Sequence, residues 1–205
     1  MRRDSVRRLT ELALLSAIIL LMAFTPLGYL RIGTLEITFI TVPVAIGAVF
    51  LGPGAGAILG LVFGLTSFSQ SFSSPLGMIF LEVSVVRSFI ACVVPRVLVG
   101  LLTGLIYRGV KRVLGSDLVT FVIAGLAAPL LNTALYMSLN FLLFQKEWLS
   151  VAQSMLGFTG ATGGLALFGF LLASVTVNAV AEALAGLVVT SALCKALSRA
   201  LEKRR

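Results

Sequence analysis

Six apolar runs, joined by short polar connections, leave this chain few folds to choose from. They lie at about 12–29, 37–51, 54–68, 83–107, 118–144 and 163–193. About twenty apolar residues suffice to cross the hydrocarbon of a bilayer, and a soluble core has no room for so many such runs. Composition points the same way. Hydrophobic residues make up 59% of the 205 positions and charged ones only 12%, against about 25% charged in ordinary soluble domains. Mean hydropathy is +1.08. The expected fold is an all-α membrane protein, a six-transmembrane-helix bundle over residues 1–205 as one domain in the cell membrane. The first run follows RRDSVRR, as a signal peptide would. No small-residue cleavage site follows it and the remainder is equally apolar, so it is read as a retained helix.

The net charge of +8 would suit a nucleic-acid partner, but the positions of the charges argue against one. Arg2, Arg3, Arg7 and Arg8 precede the first run. Arg108, Lys111 and Arg112 share one loop, and Lys195, Arg199, Lys203, Arg204 and Arg205 form the tail. Six spans place all three clusters on one side, the positive-inside pattern, so both termini are expected in the cytoplasm. Arg31 and Lys146 then fall in outer loops, with Arg87 and Arg96 in the fourth span. Cys92 and Cys194 lack metal-ligand spacing and there is no His, so neither a metal nor a cofactor is expected. The chain has no Gly-x-x-x-x-Gly-Lys-Ser/Thr loop and no paired-carboxylate motif. It is not expected to be an enzyme, and any ATP hydrolysis would belong to separate partners.

Gly52, Gly56, Gly60 and Gly64 recur every four residues, which lines one helical face with hydrogen atoms and lets another backbone approach. Pro53 suits the first turn of that helix. Ala13 and Ala17 form a second small pair, either for packing within the chain or as a flat surface for another protein. The polar residues inside the runs carry more information. Asn132, Asn178, Glu182 and Arg96 lie near the middle of theirs, and an ion there costs at least ~2.5 kcal/mol unless it finds partners. Two arrangements are open: an Arg96–Glu182 ion pair that only locks spans four and six, or a polar pocket in which the Asn side chains hold a small ligand. Tyr136 and Asn140 continue the Asn132 face outward. Trp148 in the loop at 145–162 fits a headgroup anchor or, less commonly, part of a lid.

The block LEITFITVPVAIGAVFLGPGAGAILGLVFGLTSF at 35–68 resembles helices two and three of the substrate-binding S components of energy-coupling factor (ECF) transporters. That family has a Pro one turn into helix two and a Gly-Pro-x-x-Gly turn opening a Gly-rich helix three. ELALLSAIILLMAFTPLGYL is similar to its first helix, with Ala13 and Ala17 at its Ala-xxx-Ala motif. CVVPRVLVGLLTGLIYR at 92–108 resembles its fourth, and APLLNTALYM and VNAVAEALAG resemble parts of its fifth and sixth.

The resemblance implies a subunit that binds a vitamin from outside and transports only with partners, a membrane scaffold (T component) and two cytoplasmic ATPases. It places Ala13 and Ala17 against the scaffold. Ligand would lie in the outer half, under the loops at 31–36, 69–82 and 145–162. Asn132, Asn178 and Glu182 look most like the pantothenate group, whose ligand carries a carboxylate. Arg87 and Arg96 are the candidate cations, and Tyr136 and Thr41 complete the set. A riboflavin, folate or other vitamin S component remains open. So do a stand-alone secondary transporter with a titrating Glu182 and a purely structural membrane protein.

Overall fold

The computed structural model describes residues 2–32, 35–155 and 164–202. Helix α1 (Arg2–Ala23) starts within the basic segment and stops short of the expected end of the first span at 29. The residue before a proline resists helical backbone geometry, and Pro26 opens a single 3-10 turn, Pro26–Gly28. Side chains take up the carbonyls left at the end of α1. The Thr25 hydroxyl donates to Leu21 O at 2.7 Å, and the Gln70 amide donates to Ala23 O.

An antiparallel hairpin follows, β1 (Tyr29–Ile32) and β2 (Leu35–Thr38), in the register Tyr29↔Thr38 to Ile32↔Leu35. The described residues are otherwise helical, as expected, and the hairpin is an addition to that all-α fold. The loop and the ends of two apolar runs pair as strands, satisfying in the ladder backbone groups that a bare loop would leave to water. Phe39 N–H donates to Gly28 O at 2.9 Å and closes the base of the hairpin.

Helix α2 (Thr41–Phe50) has only ten residues, about 15 Å at 1.5 Å per residue. Every residue from Thr41 to Val49 is buried, and α1, α3, α5, α6 and α8 all pack on it. A helix apolar all round belongs inside a protein, so this run is a core helix rather than a lipid-facing one. Pro43 sits in its first turn, where a missing N–H leaves nothing unmade.

Helices α3 (Pro53–Ser71) and α4 (Pro75–Val83) meet at a bend of 93°. The Ser74 hydroxyl accepts Gly77 N–H at 2.9 Å, a side-chain cap followed by proline. The loop expected at 69–82 therefore carries a helix. Helices α5 (Val85–Leu114) and α6 (Asp117–Leu143) are joined by Gly115, which caps α5 in the left-handed region at φ 65°. Lys111 and Asp117 pair across that turn. Helix α7 (Gln145–Met155) lies in the loop between α6 and α8, and α8 (Gly164–Glu202) ends the described chain. The rest of the loop expected at 145–162 lies outside the described residues.

Helices α5, α6 and α8 are each long and apolar enough to cross a membrane, and α3 with α4 makes a bent fourth candidate. Helix α1 carries Arg7, Arg8 and Glu11 ahead of its apolar half. The chain is a multi-pass helical membrane protein.

The tightest seam runs between α3 and α5. A Cβ placed on Gly56 would strike the backbone of Gly100, and one on Gly60 the backbone of Arg96. At Gly64 it would come within 2.8 Å of Val93 Cα, and at Gly104 within 2.7 Å of Pro53 Cα. Gly100 and Gly104 thus answer the strip on α3, and two antiparallel helices touch backbone to backbone over about three turns. The strip opens at Gly52, whose φ of 98° suits only glycine.

Candidate binding site between α5 and α6

The seam fixes where Arg96 stands. Pro95 lacks the N–H that would bond to Ala91 O one turn back. The Arg96 guanidinium replaces it, donating through Nη1 to Ala91 O at 3.4 Å. The same guanidinium lies over the ring of Tyr136 at 3.9 Å and near that of Phe63 at 5.5 Å. Arg96 is 6% exposed, and its Nε has no hydrogen-bond partner. Two aromatic faces and one carbonyl compensate much of the loss of water around the cation. One N–H remains directed at no acceptor.

On α6 the buried face runs through Ala128, Asn132 and Asn140, with Tyr136 a turn from each Asn. Asn132 is 9% exposed and its Oδ1 is also unpartnered. Arg96, Tyr136 and Asn132 therefore form one polar patch on facing helices; sequence spacing put Arg96 and Asn132 near the middle of their runs and Tyr136 one turn outward.

Glu182 is buried elsewhere. Its Oε1 accepts the Thr38 N–H at 3.0 Å, so the carboxylate ties the foot of the hairpin to α8. No ion pair joins it to Arg96 among the described residues, and the arrangement that locked spans four and six through that pair is corrected. That bond is to a backbone group, which carries no side-chain signature in a sequence. Asn178 lies one turn from Glu182 and is partly exposed, and Thr41 is buried at the first turn of α2. Arg87 stands apart. Its backbone N–H donates to the Ser84 cap at 3.3 Å, while its side chain is exposed. Ala13 and Ala17 are exposed on the face of α1 opposite Ile19 and Ala23, which enter the core.

The upper end of the patch is covered by aromatic residues. Phe80 of α4 packs at 4.7 Å from Phe144 and 5.3 Å from Trp148 between ring centroids. Trp148 is 9% exposed, so it is no headgroup anchor; it is packed inward from α7. Ala91, Met137, Val151, Leu167 and Leu171 complete this cluster. Ser88, absent from the residues singled out by sequence, is buried one turn from Ala91 with its hydroxyl unpartnered. A lone serine near a helix start gives no sequence signal until its burial is known.

Comparison with known proteins agrees with this architecture. Residues 7–194 match the family described as ECF transporter, substrate-specific component. The chain is 32% identical over 174 residues to the pantothenic acid transporter PanT of Lactococcus lactis subsp. cremoris (strain MG1363), covering 80% of this chain and 78% of that one. It is 30% identical over 203 residues to the pantothenate transporter PanT of Leuconostoc mesenteroides subsp. mesenteroides, covering 94% and 93%.

Proposed function

Because the chain belongs to the substrate-specific components of ECF transporters, we propose that it is the high-affinity pantothenate-binding subunit of such an importer. The observation that carries the substrate is that two relatives named for pantothenate each align over most of both chains. The site is compatible with that ligand. A buried guanidinium with a spare N–H suits a carboxylate, and Asn132 suits a neutral amide or hydroxyl group. Arg96, Tyr136 and Asn132 would contact the ligand directly. Asn178 and Thr41 would line the side toward α2 and α8, and Glu182 would hold the hairpin there. Arg87, exposed at the start of α5, would attract the anion on its way in rather than hold it.

In this reading α1, α2 with its hairpin, α3 with α4, α5, α6 and α8 supply six membrane passages. Both termini, the Gly52 turn and the Gly115 turn lie in the cytoplasm, where the basic clusters then collect. The chain performs no chemistry of its own. It would hand its ligand on through a scaffold T component energised by two cytoplasmic ATPases, with Ala13 and Ala17 docking on the scaffold. Their exposure on an apolar helix face supports that role.

Two measurements test the proposal. Titration calorimetry of the purified chain with pantothenate should give a saturable heat. Its absence, with saturable binding of a different vitamin, would sink the substrate assignment. Replacing Ala13 and Ala17 by Trp should leave that heat unchanged and abolish co-purification with the scaffold. An intact complex would refute the docking role.

A further inference from the structure

Three buried groups with unused hydrogen-bond donors stand on α5, which bears the patch, and on α7, which packs at its end. They are Arg96 Nε, the Ser88 hydroxyl and the Trp148 indole N–H, in side chains 6%, 3% and 9% exposed. A buried polar atom left unpaired costs about 1–3 kcal/mol, so each calls for an explanation. Their positions along the helices are ordered. Ser88 lies two turns from Arg96 toward the start of α5, about 12 Å along the axis at 1.5 Å per residue, and the Arg96 guanidinium reaches back over part of that rise to Ala91 O. Trp148 lies at the same end, against Phe80 and one turn beyond Phe144. Asn132 lies at the other end, one turn past Tyr136, and its unpaired atom is an acceptor, Oδ1.

From this order we infer that Ser88 and Trp148 are ligand contacts that fix the direction in which the molecule binds. The inference rests on the pantothenate reading and its outward-facing site. A carboxylate only accepts hydrogen bonds, whereas hydroxyl groups also donate. The anionic end therefore lies toward Arg96, Ser88 and Trp148 beneath α7, and the hydroxylated end points inward to Asn132. Helix α7 then supplies a donor to the bound anion as well as apolar cover. The two residues act as specificity determinants for an acid over its neutral analogues.

The test uses the full chain in detergent, with Ser88→Ala and Trp148→Phe as variants. The ligands are pantothenate and the analogue whose carboxylate is replaced by a hydroxymethyl group, with affinities read by competition calorimetry. Each variant should weaken pantothenate about tenfold, the loss of one charge-assisted hydrogen bond. Binding of the alcohol should change by less than about twofold. Equal losses for both ligands would assign the residues to packing and overturn the inference, as would no loss at all. Thr103 supplies a control, since its hydroxyl is also buried and unpartnered but lies beside Gly104, toward the other end of α5. Thr103→Val should leave both affinities unchanged, and a selective loss of pantothenate there would also overturn the assignment. Failure of the unmodified chain to bind pantothenate refutes the substrate assignment itself and this inference with it. Normal binding with indifferent variants refutes only the inference.

Discussion

The two faces of α5 are built on opposite terms. Toward α3 it presents Gly100, Gly104 and the backbone of Arg96, and the glycine strip meets them without an intervening side chain. Toward α6 it presents the Arg96 guanidinium over Tyr136, and away from the seam it buries Ser88, with polar atoms of both left unpaired. One face gains dispersion contact from close approach, which in lipid substitutes for the missing hydrophobic drive. The other keeps hydrogen-bonding capacity in reserve, at a cost in stability. The two are linked through a single residue. The backbone of Arg96 is held in the seam at Gly60, and its side chain leaves the seam past Phe63 to Tyr136. The contrast teaches that rigidity on one side lets a costly cation be held in place on the other.

Breaking the seam should have the largest effect. Gly60→Leu puts a branched side chain where even a Cβ meets the Arg96 backbone, and backbone cannot swing aside as a side chain can. Overpacking of this kind costs about 3 kcal/mol or more. The variant should unfold at markedly lower temperature, lose ligand binding as the Arg96 geometry shifts, and give little monodisperse protein in size-exclusion chromatography. A melting temperature within experimental error of the unmodified chain would show that the seam is not as tight as its geometry implies.

Changing the polar face should do the reverse. Arg96→Met keeps a similar length of apolar stem and removes the charge. A buried cation replaced by a well-packed apolar residue is often neutral or stabilising, while pantothenate, in the function proposed above, would lose its charged partner. The expected result is about a hundredfold weaker binding with an unchanged or higher melting temperature. Loss of stability without loss of affinity would place Arg96 with the seam and erase the distinction between the two faces.

How much of this was legible in the sequence follows the same division. The glycine strip announced the seam, because a four-residue period on a helix has one geometric meaning. Arg96, Asn132 and Tyr136 announced the patch, because polar groups in apolar runs need partners. The partners themselves were not legible. Glu182 bonds to a backbone N–H of β2, and Arg96 takes an aromatic ring and the carbonyl freed by Pro95. Neither of these contacts is encoded by a complementary side chain at a fixed spacing. The hairpin and α2 misled for a different reason. The run at 37–51 was counted as a span, but its first residues pair as a strand and α2 is apolar because protein surrounds it. Periodicity cannot distinguish the two environments. Ser88 and the inward packing of Trp148 depend on α4 and α7 folding over the outer end, a tertiary event with no local signature.

The smallest expected effect tests whether glycine matters on α5 only where a neighbour demands it. Gly109 lies within α5, past the seam, and a Cβ there would meet nothing within 4 Å. Its backbone gains from a side chain without meeting an obstacle, since alanine restricts the unfolded chain and favours the helix. Gly109→Ala should therefore stabilise by about 0.5–1 kcal/mol, seen as a small upward shift in melting temperature with pantothenate affinity unchanged. A destabilising result of similar size would mean that this end of α5 also approaches something closely.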